Sequence, residues 1–164
     1  MKLKKNEKGF SLVELLVVVI IVAIVAAIAI PNLLASRRSA NEASAISSMR
    51  TIHSAQATYQ ATIGQNSDYA PDLATLGAPT TPDPNGLIDS ALANADTVAK
   101  SGYLFTVTAP ATQVYCAEAH PSSAGVTGNR YFGVSQPGVI YAGPSAIACS
   151  NGGVLSGTSS APIQ

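Results

Sequence analysis

The sequence lacks tryptophan and has only three phenylalanines, so any core it builds is modest and aliphatic. Charge is scarce. Asp, Glu, Lys and Arg make up 11% of residues, and nine basic against nine acidic side chains give a formal net charge of zero. That balance excludes the basic surface of a nucleic-acid-binding protein, and no nucleic-acid partner is expected. Two cysteines cannot make a four-thiolate zinc site, although they can make one disulfide. There is no G-x-S-x-G elbow, P-loop or G-x-G-x-x-G run, and residues 125–128 are too sparse in glycine to cradle a phosphate. Asp68, Asp72, Asp83 and Asp89 lack the spacing of a calcium loop and read as turn and cap residues. Glu118 and His120 share a strand face but have no third ligand in sequence reach, and read as a surface pair. His53, on a helix, reads as a packed or solvated side chain. No catalytic residue, metal or cofactor is expected, and the chain is not expected to be an enzyme.

What is present is apolar and unevenly placed. Hydrophobic residues make up 47% of the chain, which excludes global disorder, and 164 residues set a prior of one domain. Residues 1–9 carry Lys2, Lys4, Lys5 and Lys8 against Glu7 alone. From Phe10 to Ile30 only Ser11 and Glu14 are polar. As a helix, those 21 residues span about 31 Å, close to the thickness of a bilayer core. The lysines place the leader in the cytoplasm and the remainder outside, with a single crossing. A secretory signal cut near Ala26, Ala27 or Ala29 is the alternative. The length of the run and the acid near its start argue against it.

Glu14 has two readings. Ser11-x-x-Glu14 fits a capping box, and an acid in the first turn suits the helix dipole. The second reading needs a cation, because a charge in the membrane costs about 2.5–3.5 kcal/mol on insertion scales. A cut after Gly9 would create an amine on Phe10. At 4 Å and an effective dielectric near 20, such a pair gains about 4 kcal/mol before desolvation. Lys8-Gly9-Phe10-Ser11-Leu12-Val13-Glu14, followed by the apolar run and Pro31, resembles the N-terminus of type IV pilins and type II secretion pseudopilins. The resemblance covers residues 1 to about 63. It implies that prepilin peptidase cuts after Gly9 and methylates Phe10. It further implies that Glu14 pairs with the Phe10 amine of a neighbouring subunit in a filament. Without the four leader lysines and Glu7, five basic and eight acidic side chains remain, a net charge of −3.

Beyond the apolar run, Pro31 reads as a helix kink rather than a stop, because residues 32–63 contain no further Pro or Gly and are rich in Ala. Ile46, Met49, Ile52, Tyr59 and Ile63 predict one buried face, with Ser44, Ser47, Ser48, Gln56 and Gln60 opposite. Gly64 is the stop signal. One helix over residues 10–63, about 80 Å long at 1.5 Å per residue, is expected. Arg37 and Arg38 follow the apolar run, and contact with lipid headgroups, contact with acids of neighbours and a plain solvated face are all open.

The expected organisation is a cleaved leader (1–9), a transmembrane and polymerisation helix (10–30), its amphipathic continuation (31–63), a connecting region with short helices (64–101), an antiparallel sheet region (102–150) and a flexible tail (151–164). Within the connecting region, 71–76 reads as one helical turn, 78–86 as an irregular loop and 87–99 as a short helix. Strands are expected at 103–108, 113–119, 130–134 and 139–142. The fold class is α+β and pilin-like, a long N-terminal helix packed on a small antiparallel sheet of three to four strands. Cys116 and Cys149 fall in the exported part, where disulfides form. A bridge between them resembles the disulfide-bounded C-terminal segment of many pilins and would contribute about 3–4 kcal/mol; two reduced, buried thiols are the alternative.

The resemblance implies a structural filament subunit whose partners are further copies of itself, prepilin peptidase, an inner-membrane assembly platform and, before assembly, lipid. Its location would be the inner membrane and then a surface pilus or a periplasmic pseudopilus. A type II secretion pseudopilin and a membrane-anchored periplasmic binding or enzyme domain are the competing functions.

Overall fold

The computed structural model describes residues 9–79, 86–150, 155–157 and 160–163. The leader before Gly9, Asp83 with most of its loop, and residues 151–154 lie outside them. The chain divides into two compact units, residues 1–36 and 37–164. Helix α1, Leu12–Thr62, contributes to both.

In the first unit the helix continues through Pro31. Proline has no N–H to offer the carbonyl four residues back, that of Ala27. Next to that carbonyl, the Asn32 side chain donates to Ile28 O at 3.1 Å.

In the second unit α1 buries Glu42, Ala45, Ser48, Met49, Ile52, Ala55 and Gln56. Met49 and Ile52 lie on the expected stripe, and Ile46 and Tyr59 pack at its edge. The stripe also takes in Ala45 and Ala55, however, and it includes Ser48 and Gln56, which the sequence pattern assigns to the solvent face. Gln56 tolerates complete burial because its amide is satisfied twice: Nε2 donates to Ala70 O and Oε1 accepts from Ala70 N–H, each at 2.9 Å. The helix stops before Gly64, where a Cβ would collide with the Asp68 carbonyl at 1.9 Å. Gln65 and Asn66 turn the chain with positive φ.

Two short helices follow. α2, Leu73–Gly77, is capped by Asp72, and α3, Ser90–Ala93, by Asp89. Both aspartates are therefore the cap residues expected of them. α3 is shorter than the expected helix over 87–99. Asn94 and Thr97 bond back to the carbonyls of Ser90 and Asn94 and compete with helical continuation.

The sheet is an antiparallel five-stranded one in the order β1 (Tyr103–Ala111), β2 (Val114–Pro121), β3 (Tyr131–Ser135), β4 (Ile140–Gly143), β7 (Ala161–Ile163). Two apolar rows cross its inner face. Phe105, Ala119, Phe132 and Ala142 are in register, as are Val107, Ala117, Val134 and Ile140. All are buried with the α1 stripe and with Leu73, Leu76 and Leu92. The fifth strand comes from the segment expected to be a flexible tail. Ile163 packs against the core, and Pro162 is tolerated because β7 lies at an edge.

A two-stranded ribbon, β5 (Ala148–Cys149) and β6 (Leu155–Ser156), lies over the opposite face. Gly133 makes the close approach possible: a Cβ there would stand 2.9 Å from Ile147 and 3.1 Å from Leu155. The ribbon is tied to β2 by a Cys116–Cys149 disulfide, with the Cα atoms 6.0 Å apart. Reduced thiols are thus ruled out in this structure. Glu118 adds a second tie, accepting the Cys149 N–H at 2.6 Å. It is a structural acceptor rather than half of a surface pair with His120.

Candidate functional site

The candidate site is the start of the chain. Gly9 is exposed, and nothing lies within 4 Å of where its Cβ would be. Phe10 is 89% exposed. The Gly9–Phe10 peptide is therefore open to a protease.

Ser11 is the helix cap. Its Oγ accepts from Val13 N–H at 3.4 Å, while the Ser11 N–H donates to Glu14 Oε2 at 2.9 Å. This reciprocal pair is the capping box expected from Ser11-x-x-Glu14. It holds the acid in the first turn, close in sequence to the residue that would carry a new amine. The box and the pairing role of Glu14 are compatible, since a carboxylate has about four acceptor positions.

The helix that follows is uncovered. Seventeen large hydrophobic side chains from Phe10 to Leu34 are each at least 47% exposed, far more contiguous apolar surface than a soluble monomer leaves in water. By length and composition the helix is able to cross a membrane. Pro31 lies within it.

The second unit contributes another cluster, which the sequence did not reveal. Glu42 on α1 is 8% exposed. It accepts Asn129 N–H at 2.9 Å and Arg130 Nε–H at 2.7 Å. Burial pushes its pKa up, but the Asn129 N–H and the Arg130 guanidinium outweigh burial and hold the carboxyl below the ordinary value of 4.5. The Tyr103 hydroxyl donates to Arg130 O at 2.9 Å. Its pKa is pushed up to about 12, by burial first and then by the nearby Glu42 charge. Arg38 and Asn41 donate to the carbonyls of Gly125 and Thr127 at 3.1 and 2.9 Å. One turn of α1 thus clamps the β2–β3 loop, residues 122–130. Gly102 makes room for the clamp, because a Cβ there would meet Thr127 and Asn41.

His53 is a packed side chain. Its Nδ1 is hydrogen-bonded to the Tyr115 hydroxyl, whose pKa is raised by burial and then by Tyr69. Gly138 lies against the His53 ring. Among the described residues no three His, Cys, Asp or Glu side chains gather as a metal site.

Residues 4–30 match the family model described as the prokaryotic N-terminal methylation motif. A type IV wide pilus major component, PilA4, of Thermus thermophilus is 35% identical over 78 residues, 48% of this chain. The chain is thus similar to a type IV pilin over part of its length. The matched stretch spans 60% of the Thermus pilin's own length. No solved structure matches the chain. Gly9, Phe10, Glu14 and most of the apolar helix all lie within the matched motif.

Proposed function

We propose that this chain is the structural subunit of a type IV pilus-like filament. It would insert in the inner membrane through residues 10–30, lose its leader when prepilin peptidase cuts after Gly9, and be methylated on Phe10. It would then pass from the membrane into a helical polymer with the help of an assembly platform. The observation that carries this reading is the uncovered apolar helix placed directly after an open Gly9–Phe10 bond, with its one acid in the first turn.

The physical logic follows from that placement. In lipid, the apolar side chains cost nothing. Once extracted, they must be covered again, and identical helices from neighbouring subunits would cover them at about 25 cal/mol per Å² of buried apolar area. Apolar packing of this kind is non-directional and sets no register. Glu14 would set it, because one carboxylate in that surface is satisfied only where a neighbour's Phe10 amine meets it. Cleavage would be the switch, since the amine does not exist before the cut. Pro31 would be where the helix loosens in the polymer; unbroken helical hydrogen bonding around residue 31 in a filament map would refute that role.

A pilus is favoured over a type II secretion pseudopilus by the pilus component among its relatives and by the disulfide-tied C-terminal ribbon. Cell shearing tests the reading. Fibres containing this chain in the sheared surface fraction support a pilus. Polymer retained in the periplasm supports a pseudopilus. A chain that stays monomeric in the membrane while the peptidase and platform are present overturns both.

A further inference from the structure

We propose that Arg37, Arg38 and Val126 form a contact for anionic phospholipid headgroups. This contact would hold the exported unit against the bilayer before assembly. It rests on the membrane-inserted stage argued above.

The first observation is the clamp. Arg38, Asn41 and Glu42 fix Gly125, Thr127 and Asn129 to the start of the exported unit. Leu34, just beyond the Phe10–Ile30 run, is the last large exposed apolar residue of the helix, and Arg38 follows four residues later. Even a fully extended chain covers only about 14 Å in that interval. Arg38 therefore lies within about 14 Å of Leu34, and the β2–β3 loop is bonded to the Arg38 side chain.

Charge is the second observation. Of the five basic side chains left after cleavage, Arg37, Arg38 and Arg130 are here. Residues 36–46 and 119–131 contain one acid, Glu42, and Arg130 occupies it. This end is therefore positive on a chain whose mature net charge is −3, which suits an anionic surface and not the chain's own acidic remainder. Guanidinium groups bind phosphate oxygens in pairs.

The loop itself is third. Val126 stands 64% exposed on a turn already closed by Val126 and Thr127 N–H donating to Ser123 O, Gly125 N–H to Gly128 O, and Ser123 N–H to the Thr127 hydroxyl. A preformed turn loses little entropy on docking. An exposed valine next to the Gly125 carbonyl that Arg38 holds suits the boundary between headgroups and acyl chains.

The absence of tryptophan gives a clean reporter, since Val126→Trp would carry the sole indole. The full chain is reconstituted in vesicles of phosphatidylcholine with or without phosphatidylglycerol, using brominated acyl chains as the quencher. Val139→Trp is the comparison: Val139 adjoins Gly138, which touches His53, about 22 Å along α1 from Arg38. The indole of Val126→Trp is expected to be blue-shifted and quenched by lipid when phosphatidylglycerol is present, and that of Val139→Trp to remain accessible to acrylamide. Arg37→Gln, added to Val126→Trp, should lower the docked-to-undocked ratio about fivefold, and high salt should do the same. An indole at position 126 that behaves like the one at position 139 in both lipids, on protein that still floats with the vesicles, overturns the contact and leaves the membrane span intact. Protein that fails to float overturns the span and the contact together.

Discussion

Glu42→Ala removes the clamp at its centre. The carboxylate accepts one backbone and one guanidinium hydrogen bond at 2.9 and 2.7 Å while 8% exposed. Hydrogen bonds to a charged group contribute about 1.5–3 kcal/mol each. The Arg130 side chain is 45% exposed and regains water when its partner is lost, so its share is screened down to about 0.5–1 kcal/mol. The Asn129 N–H would keep most of its cost. The expected loss is about 2–3 kcal/mol, or about 6–12 °C in Tm for a unit of this size. Glu42→Gln keeps an acceptor for Asn129 and should lose about 1 kcal/mol. The pH dependence follows from the sign of the shift. Because the folded carboxyl titrates below 4.5, its contribution is complete above the unfolded value and is lost as pH falls through the folded one. The gap between wild type and Glu42→Gln should therefore narrow as pH falls below the ordinary carboxyl value of 4.5. Thermal melts of the detergent-solubilised chain, with hydrogen exchange at the Asn129 amide, measure both. An unchanged Tm with Asn129 still protected in Glu42→Ala would refute the clamp.

Gln56→Ala strands the N–H and C=O of Ala70 in the core and should cost about 2–3 kcal/mol, read as a lower denaturant midpoint; a midpoint equal to wild type would contradict the assignment. Reduction of Cys116–Cys149 should lower the melting temperature, by up to about 3–4 kcal/mol of stability in the chain-entropy model, and coincident reduced and oxidised melts would contradict that. Glu14→Ala should still insert in membranes but yield few fibres; normal fibre yield would remove the amine-pairing role.

The N-terminal helix was readable from sequence because its signal is local. A 21-residue apolar run with an acid near its start and a Ser–Glu pair at Ser11 and Glu14 carries its own explanation. The second unit was readable in outline, through period-two strands and a period-3.6 stripe. It was not readable where a polar residue's fate depends on a distant backbone. Gln56 looks like a solvent-face residue until Ala70 folds over it, and Glu42 is an ordinary helix acid until Asn129 arrives from 87 residues away. Both lie at helical spacing with Ala45, Met49, Ile52 and Ala55, and that shared spacing was the one available clue. β7 was missed because Ala161, Pro162 and Ile163 are too few to show alternation, and only the free edge of β4 makes them a strand. The disulfide stayed open for a similar reason: two cysteines 33 residues apart declare nothing until the ribbon brings them together.

The central claim is that a proteolytic cut creates the cation that the acid of the apolar helix needs. Mass measurement of the intact mature chain tests it most directly. The account predicts a polypeptide that begins at Phe10 and carries one methyl group on its terminal nitrogen. A chain that keeps its lysine-rich start, or one that has lost the whole apolar stretch, would contradict it.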